Sequence, residues 1–521
     1  MPKLTIDNRK VEVDSGATIL DAAGRLGIEI PTMCFLKGCS PLTSCMICLV
    51  KVESSNSLVP ACATVAQEGM VVETNSEQIR QARVTALELL LSDHVGDCMG
   101  PCQIACPAKM NIPLMIRQIA AGKLTDAIVT VKKDIALPAI LGRICPAPCE
   151  KTCRRAKLDE AVSICLLKRL AADVDLESEK PYLPTCRAKQ GKRVAIVGAG
   201  PAGLAAAYYL LQEGIGCTVF DDHEKPGGML RYGIGREMLA EDILDGEIGV
   251  ILKLGAIFQG NTRIGVDVSL ADLRKDFDAV FLAPGDIKPD GGEYADLEFG
   301  PKGIDVDGPT YQTSIAGVFA GGDAVRRRKL AVRSVADGKE AAVSIAQFLS
   351  GRQVTGPGKP FNTHMGKLLD GEIEKFATSA SQSSRLAPSS DCAGFTNRQG
   401  RDEAGRCLHC DCRKPDACKL RQYAGDYGAK PSRYKAQRKM FEQKSGHRDI
   451  IYEPAKCIHC GLCIEIASEA KEELGLTFIG RGFDVQVAVP FGRSIADGLK
   501  KTADKCVNAC PTGSLAFKDK T

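Results

Sequence analysis

The chain has 521 residues, of which 44% are hydrophobic and 25% charged, and its formal net charge is +4. A chain of this length is expected to hold roughly three or four domains, and so balanced a charge argues against nucleic acid or an anionic membrane as a partner. The 24 cysteines follow an N-terminus that is charged and alternating rather than apolar. This combination predicts a cytoplasmic protein whose cysteines bind metals rather than form disulfides.

The N-terminal residues 1–76 are predicted to form a small ferredoxin-like domain. Two alternating runs, LTID and KVEV, meet at Asp7 as a hairpin, and a helix follows with Thr18 and Asp21 as its capping pair. Four cysteines come next at the spacing C-x10-C-x2-C-x13-C: Cys34, Cys45, Cys48 and Cys62. We expect them to hold a 2Fe-2S cluster, with structural zinc as the alternative. The region resembles the 2Fe-2S domain of the NADH dehydrogenase large iron-sulfur subunit and of some hydrogenases.

Residues 77–185 are mainly helical by pattern, and prolines around their cysteines indicate loops rather than helix faces. The segments CQIACPAKMNIP and RICPAPCEKTC resemble the two-cluster helical domain of glutamate synthase small subunits and dihydropyrimidine dehydrogenase. Ligation in that family interleaves along the chain. The resemblance therefore implies one 4Fe-4S cluster on Cys98, Cys102 and Cys153, and another on Cys106, Cys145 and Cys149.

The fourth ligands of these two clusters depart from the family pattern. Where the family has a cysteine, this chain has Val95, and the nearest ligand is His94. His-x3-Cys also occurs as a ligand set in the NADH dehydrogenase large subunit, so His94 is the candidate fourth ligand. The alternative is that His94 is an ordinary surface histidine. The family uses Gln or Glu at Lys168, and an ammonium cannot ligate iron. Cys165 lies one turn earlier on the same helix face and is the candidate fourth ligand of the second cluster. The alternative is that Cys165 is a buried structural thiol.

A dinucleotide-binding domain is predicted over residues 186–355. A β-branched strand from Val194 runs into three glycines at the G-x-G-x-x-G spacing: Gly198, Gly200 and Gly203. A helix follows, and a second strand ends in Asp221, where the fold places a carboxylate for the ribose hydroxyls. Glycines at this spacing also occur in ordinary turns, but strand, helix and carboxylate together favour a dinucleotide. The uncharged run 194–212 belongs to this turn rather than to a membrane span.

FAD is favoured over NAD as the bound dinucleotide. The segments GGMLRYGI and DAVFLAPGD, and the run 314–345 through Gly322 and Asp323, resemble the FAD domain of the glutamate synthase small subunit. The resemblance implies that Asp323 binds the ribityl chain and that Gly228 and Gly322 lie at the cofactor. Relatives insert a nicotinamide-binding domain before the strand that here begins near residue 315. This chain spans that gap in about 30 residues without a second glycine fingerprint, so we expect the inserted domain to be missing.

The Ser/Ala-rich composition of residues 377–391 predicts a linker over 356–400, ahead of a ferredoxin-like domain at 401–521. In that domain a bacterial ferredoxin motif is formed by Cys457, Cys460, Cys463 and the distal Cys510, with Cys506 as a substitute ligand. An irregular motif is expected to hold another 4Fe-4S cluster, or zinc, on Cys407, Cys410, Cys412 and Cys418. The remaining cysteines are interpreted as structural thiols: Cys39, Cys186, Cys217 and Cys392.

The sequence thus predicts a multidomain α/β and α+β protein: a β-grasp 2Fe-2S ferredoxin, an α-helical two-cluster domain, a Rossmann-like FAD domain and a C-terminal ferredoxin-like domain. One FAD, one 2Fe-2S and four 4Fe-4S clusters, without a catalytic motif, indicate an electron-transfer subunit of a cytoplasmic multi-subunit oxidoreductase. The resemblances imply NADH-oxidising FMN/iron-sulfur subunits as one partner, and ferredoxin or a hydrogenase or formate dehydrogenase as the other. Electron bifurcation stays open. The alternatives are a self-contained NAD(P)H-dependent flavoenzyme and a scaffold that has lost flavin.

Overall fold

The computed structural model describes residues 1–287, 294, 296–390, 393–434 and 437–518, so Cys392 lies outside the described residues. The chain divides into two compact units. The first unit contains residues 1–99, 360–379 and the chain from 410 onward, and the second contains residues 100–359 and 380–409.

A five-stranded mixed sheet, in the order β2-β1-β5-β3-β4, begins the first unit. Its strands are β1 (Lys3–Ile6), β2 (Arg9–Glu12), β3 (Leu49–Val52), β4 (Ser57–Pro60) and β5 (Val71–Glu73). Strand β1 pairs antiparallel with β2 and parallel with β5, and the predicted hairpin is present. Helix α1 (Ile19–Arg25) begins at the predicted capping box between Thr18 and Asp21 and buries its apolar face. The β-grasp prediction is confirmed.

Further helices and two strand pairs complete the first unit. They are α2 (Glu77–Ser92), α14 (Glu372–Ala377), α16 (Lys419–Tyr427), β13 (Ile450–Tyr452), α17 (Leu462–Glu469), β14 (Thr477–Ile479), β15 (Gln486–Ala488), α18 (Ile495–Gly498), α19 (Ala503–Ala509) and β16 (Leu515–Phe517). Strand β13 pairs antiparallel with β16, and β14 with β15. The two pairs and helices α17 and α19 share one apolar core, as expected for a ferredoxin-like domain.

The second unit contains a helical region and a parallel sheet. The helices of the first region are α3 (Pro101–Ala105), α4 (Ile112–Ala120), α5 (Leu124–Lys132), α6 (Pro138–Ile144), α7 (Pro148–Lys151), α8 (Ile164–Leu176) and, from later in the chain, α15 (Asn397–Ala404). Most of these helices are shorter than ten residues, and four of them have a proline at the first or second position. Cys106, Cys145 and Cys153 lie at helix ends, whereas Cys102, Cys149 and Cys165 lie within α3, α7 and α8.

The sheet of the second unit has five parallel strands in the order β12-β9-β6-β7-β8. The strands are β6 (Arg193–Val197), β7 (Gly216–Phe220), β8 (Ile257–Gln259), β9 (Ala279–Leu282) and β12 (Val318–Ala320), and a small hairpin is made by β10 (Phe299–Gly300) and β11 (Gly303–Ile304). Its helices are α9 (Pro201–Gln212), α10 (Met229–Tyr232), α11 (Glu241–Lys253), α12 (Leu270–Asp276) and α13 (Ala331–Leu349). A Cβ at Gly338 would lie 2.2 Å from the Ala202 carbonyl oxygen, so this glycine lets α13 pack closely on α9.

The residues predicted as a linker are packed within the two units. In the first unit, Glu372 is fully buried and pairs with Arg438, while the Phe376 ring stacks on Phe441 at 3.8 Å. In the second unit, the buried carboxylate of Glu403 accepts the backbone N–H groups of Ser163 and Leu386. A Ser/Ala-rich composition could not reveal these contacts, because their partners lie far away in sequence.

Candidate iron-sulfur and dinucleotide sites

The four cysteines of the predicted 2Fe-2S site lie together in the first unit, all at most 2% exposed. Cys45 and Cys48 lie on the loop that enters β3, and Cys62 follows β4 of the same hairpin. The Sγ atoms of Cys48 and Cys62 are 3.4 Å apart. Hydrogen bonds from Cys45 and Cys62 lower the pKa of Cys34 to about 2, which favours the thiolate that binds iron.

Cys106, Cys145, Cys149 and Cys165 line one enclosed space in the second unit, which we call the helical cavity. Cys145 caps the end of α6, Cys149 lies on α7 and Cys165 lies on α8. The cavity has a volume of about 20 Å³ and is otherwise lined mainly by apolar side chains and prolines. The structure thus brings Cys165 to the three cysteines that the resemblance grouped. Hydrogen bonding from Cys165 lowers the pKa of Cys145 to about 6.

Lys168 also lines the helical cavity, and its side chain is buried with 4% exposure. Its Nζ donates to the Leu141 carbonyl oxygen at 3.0 Å. Burial disfavours the charged form, but the thiols of Cys165 and Cys145 outweigh it and raise the pKa of Lys168, so the group is an ammonium. Sequence reasoning treated Lys168 only as a lost ligand and missed its charge at the cavity.

A second enclosed space, the ferredoxin cavity, lies in the first unit and is lined by Cys457, Cys460, Cys463 and Cys510. The Cys457 sulfur accepts the His459 N–H at 3.4 Å, and His459 has the left-handed φ of 53° that such a tight loop requires. Cys506 is buried on α19, where its thiol donates to the Cys463 carbonyl oxygen, and it does not line the cavity. The geometry favours Cys510 over Cys506.

The other cysteines expected to bind clusters fall into both units. Cys98, Cys410, Cys412 and Cys418 belong to the first unit, and Cys102, Cys153 and Cys407 belong to the second. His94, in the first unit, has a buried Nδ1 atom without a hydrogen-bond partner among the described residues. Burial, aided by the Lys456 ammonium, lowers the pKa of His94 to about 4, so the imidazole is neutral and has a lone pair for a metal.

The glycine loop after β6 has the form that a dinucleotide requires. A Cβ at Gly198 would lie 2.2 Å from the Ala283 oxygen, and one at Gly203 would lie 1.9 Å from the Gly198 oxygen. These two glycines allow the turn and the helix packing. Gly200 caps the N-terminus of α9 and has no atom within 4 Å of an added Cβ. Open space at this helix N-terminus is where a pyrophosphate fits.

The predicted carboxylates lie at the carboxyl ends of the strands. Asp221, 7% exposed, accepts the Ala199 N–H at 2.7 Å and lines a cleft with Gly198. Asp323 follows β12 and accepts the N–H groups of Arg328 and Lys329, both at 3.2 Å. A Cβ at Gly228 would lie 2.9 Å from the Gly200 Cα. These residues therefore fit a dinucleotide held along the loop.

Sequence reasoning missed Asp337, which lies on α13 behind the second motif. Its Oδ2 accepts the Gly322 N–H at 3.3 Å and its Oδ1 accepts the Tyr311 hydroxyl at 3.0 Å. Burial raises the pKa of Asp337 to about 6. The run from Gly322 into a helix carries an aspartate at each end, and the pattern alone did not distinguish the one that holds the loop.

Comparison with known proteins identifies three segments. Residues 2–77 match the family described as a 2Fe-2S iron-sulfur cluster binding domain. Residues 92–180 match the 4Fe-4S domain II of dihydropyrimidine dehydrogenase, and residues 196–236 match an NAD(P)-binding Rossmann-like domain. The chain thus contains segments similar to 2Fe-2S, 4Fe-4S and dinucleotide-binding domains.

Individual relatives match about a third of the chain. The NADP(+)-dependent formate dehydrogenase subunit beta of Moorella thermoacetica is 40% identical over 36% of the chain and 29% of its own length. The NADPH-Fe(3+) oxidoreductase subunit beta of Geobacter sulfurreducens is 41% identical over 36% and 28%. The glutamate synthase [NADPH] small chain of Bacillus subtilis is 39% identical over 36% and 40%. Each match covers less than half of the relative.

Three further observations concern the rest of the chain. Among the residues that the structure describes, no helix combines the length and the apolar character that a membrane span needs. Cys217 is buried in the core beside the parallel sheet, as expected for a structural thiol, whereas Cys186 is exposed. Among the described residues, the sheet β6–β9 with β12 is the only five-stranded parallel sheet, and the part of 283–317 that is described contributes the hairpin β10–β11. The absence of an inserted nicotinamide-binding domain stays a prediction.

Proposed function

We propose that the chain is an electron-transfer subunit of a multi-subunit oxidoreductase, carrying FAD, one 2Fe-2S cluster and four 4Fe-4S clusters. Three of the cysteine sets support this proposal directly, since each brings four thiols into a buried site without a disulfide among them. Buried thiols grouped in fours are the donor set for iron-sulfur clusters. FAD, when bound, exchanges electrons both singly and in pairs, which lets it connect clusters to a two-electron partner.

The observation that carries the proposal is the lining of the helical cavity by Val332. This residue lies in the first turn of α13, the helix that follows the Gly322–Asp323 motif of the dinucleotide domain. The four cysteines therefore lie beside the helix that borders the flavin site. A cluster bound there is the neighbour to which a flavin passes electrons.

Residues of the dinucleotide domain would hold FAD without taking part in proton chemistry. The N-terminus of α9 at Gly200 would receive the pyrophosphate. Asp221 would bind the ribose hydroxyls, and Asp323 the ribityl chain. Gly228 approaches Gly200 too closely for a side chain and would close the loop over the phosphates.

Sites in the first unit also lie side by side. Cys34, Cys45, Cys418 and Cys460 share one apolar core. The Ser44 hydroxyl, next to Cys45, donates to the His459 carbonyl oxygen at 3.5 Å, and an added Cβ at Gly461 would lie 2.1 Å from Leu42. The 2Fe-2S loop and the ferredoxin loop are therefore in contact. A contact of this kind suits one-electron transfer between two clusters.

The partners are inferred from the relatives. One set would be NADH-oxidising FMN/iron-sulfur subunits that exchange electrons with the 2Fe-2S domain. The other would be ferredoxin or a terminal enzyme such as a formate dehydrogenase or hydrogenase. Because the sequence of residues 283–317 contains no second glycine fingerprint, we propose that reducing equivalents from NAD(P)H would reach this flavin through a partner. A cytoplasmic location remains a prediction.

The test is to purify the whole chain anaerobically and to quantify its cofactors. We expect one FAD and about 18 iron atoms per chain, the sum for one 2Fe-2S and four 4Fe-4S clusters. Adding NADH or NADPH to the chain alone should leave the visible spectrum unchanged, and adding dithionite should bleach it. Bleaching by either nucleotide without other subunits would contradict the relay and support a self-contained flavoenzyme. Iron without FAD would support a scaffold.

A further inference from the structure

The cysteines of the C-x2-C-x-C-x5-C motif are separated by the fold rather than grouped by their spacing. Cys407 belongs to the second unit, whereas Cys412 and Cys418 belong to the first. Cys98 and Cys102 are likewise assigned to different units although four positions apart. Contacts within each unit indicate which cysteines share a cluster.

In the first unit, Cys98 lies with Cys412 and Cys418. The backbone N–H of Cys412 donates to the Cys98 carbonyl oxygen at 3.4 Å. The Lys419 N–H, next to Cys418, donates to the Pro511 carbonyl oxygen at 2.9 Å, and a Cβ added at Gly513 would lie 2.2 Å from the Cys412 sulfur. Cys412 and the start of α16 at Cys418 therefore lie against the same turn. All three cysteines are at least nine-tenths buried.

The segment that carries Cys98 is fixed in this position by the first unit itself. Thr363 donates to the Gly96 carbonyl oxygen at 2.8 Å, and its hydroxyl lies 3.3 Å from the Cys98 sulfur. The Met365 N–H donates to Asp97 at 2.8 Å. The position of Cys98 beside Cys412 is therefore defined by hydrogen bonds on both sides of the cysteine.

His94 lies at the same place. The Val95 N–H, next to His94, donates to the Ala455 carbonyl oxygen at 2.9 Å, and the Lys456 carbonyl oxygen accepts the Thr512 hydroxyl at 2.9 Å. An added Cβ at Gly96 would lie 2.5 Å from Lys456 Cε, so the chain between His94 and Cys98 runs along this lysine. The buried Nδ1 of His94 has no hydrogen-bond partner among the described residues, a costly arrangement unless it binds a metal.

In the second unit, Cys102, Cys153 and Cys407 pack against the same core. The Thr152 hydroxyl, next to Cys153, donates to the Pro101 carbonyl oxygen, next to Cys102, at 3.2 Å. The Arg155 guanidinium donates to the Arg406 carbonyl oxygen, next to Cys407, at 3.3 Å. These bonds connect the loops that carry the three cysteines.

The loop after Cys407 also has the form of a cluster loop. The His409 N–H donates to the Cys407 sulfur at 3.5 Å, and His409 has a φ of 48°. His459 repeats this arrangement on Cys457, with a distance of 3.4 Å and a φ of 53°. Since Cys457 belongs to a ferredoxin motif, the same local geometry at Cys407 favours iron-sulfur over zinc.

We propose that His94, Cys98, Cys412 and Cys418 bind one 4Fe-4S cluster in the first unit, and that Cys102, Cys153 and Cys407 bind a different one in the second. This grouping rests on the proposed iron-sulfur function and replaces the grouping by spacing. Cys98 and Cys102 then serve different clusters. The motif Cys407–Cys418 is divided between two clusters, with Cys410 in neither of the two sets.

Iron counts on double variants test the grouping. Two substitutions at ligands of the same cluster remove only that cluster. Cys98→Ala/Cys418→Ala should therefore lose no more iron than either single variant. Cys98→Ala/Cys102→Ala and Cys407→Ala/Cys418→Ala should each lose twice as much. If Cys98→Ala/Cys102→Ala and Cys407→Ala/Cys418→Ala each lost the iron of only one cluster, the proposal would be overturned. Cys186→Ala, at an exposed cysteine, is the control and should keep all its iron.

Conservative variants keep the test decisive where alanine variants fold poorly. A serine oxygen retains a weaker ligand, so Cys→Ser shifts the electron paramagnetic resonance signal of its own cluster. Cys98→Ser, Cys418→Ser and His94→Ala should shift one signal, and Cys102→Ser and Cys407→Ser another. A common signal shifted by Cys98→Ser and Cys102→Ser would contradict the grouping. Wild-type chain without these clusters would instead contradict the proposed function.

Discussion

The helical cavity and the ferredoxin cavity are each lined by four cysteines and have the same volume, about 20 Å³. Their surroundings differ. The helical cavity contains the buried ammonium of Lys168, whereas the described lining of the ferredoxin cavity has no charged side chain and offers the hydroxyls of Thr512 and Ser514.

This difference shows how one chain can hold similar clusters at different potentials. Reduction adds a negative charge to a cluster, and a buried cation favours it. Under the proposed function, Cys165 would add a thiolate to a cluster in the helical cavity, and Lys168, one turn later, would compensate that charge. That cluster would then accept electrons more readily than the cluster of the ferredoxin cavity, whose described lining has no charged side chain.

The largest expected effect follows loss of a cavity thiol. Cys165→Ala should lose or damage one 4Fe-4S cluster while FAD stays bound, because three ligands hold a 4Fe-4S cluster poorly. Iron content and electron paramagnetic resonance measure it. Cys506→Ala is the matched control, a buried cysteine outside the ferredoxin cavity, and should keep its iron. Equal iron in both variants would remove Cys165 from the helical site.

A methyl group at Gly200 should prevent FAD from binding next to the helical cavity. Gly200 has an ordinary extended conformation and free space around it, so Gly200→Ala should fold normally and yet block the pyrophosphate. FAD content should fall sharply with clusters retained in both cavities. Gly203→Ala is the contrast, since its methyl would meet the Gly198 oxygen and destabilise the unit itself. Full FAD in Gly200→Ala would place the dinucleotide elsewhere.

Removing the charge of Lys168 should change the reduction potential of the cluster in the helical cavity and not that of the cluster in the ferredoxin cavity. Lys168→Met should lower the midpoint of one 4Fe-4S cluster by roughly 50–100 mV, the effect of one charge at a few ångströms in a protein. The ferredoxin cluster should not change. Lys168→Arg, which keeps the charge, should have a midpoint close to that of the wild type. A redox titration that finds all midpoints unchanged in Lys168→Met would show that this ammonium does not act on the cluster.

The smallest expected effect is a pH dependence confined to the second unit. Glu247, on α11, is buried and accepts the N–H groups of Ala139 and Ile140 at 2.9 Å, at the start of the helix that ends at Cys145. Burial raises the pKa of Glu247 from 4.5 to about 7. The stabilising contribution of the protonated group is therefore full below pH 4.5 and lost as the pH rises through 7, a change of about 3 kcal/mol.

Thermal unfolding of wild type and Glu247→Gln at pH 5.5 and pH 8 measures this contribution. Wild type should lose stability relative to the variant as the pH rises. A difference between the two proteins that is the same at both pH values would contradict the raised pKa.

Local features were predictable from the sequence. The hairpin at Asp7, the capping box of Thr18 and Asp21 and the glycine loop after β6 depend on residues close together in the chain. Cys165 was also predictable as a neighbour of the second helical set, because helix periodicity places it one turn from Lys168. These predictions rest on spacing, and spacing is what a sequence records directly.

Long-range pairings could not be predicted. Cys98 contacts Cys412, more than 300 positions away, and Glu372 pairs with Arg438 inside a segment whose composition indicated a linker. The charge at Lys168 was visible in the sequence, but its burial against four thiols was not. Cluster ligands that come from distant segments therefore need the fold.

We propose that electrons pass between the flavin and the clusters through the helical cavity. Stopped-flow reduction of the whole chain by reduced methyl viologen tests this pathway, with the flavin absorbance followed in wild type and in Cys165→Ala with FAD bound. We expect markedly slower flavin reduction in the variant, with the 2Fe-2S cluster reduced at the wild-type rate. An unchanged rate of flavin reduction would contradict it.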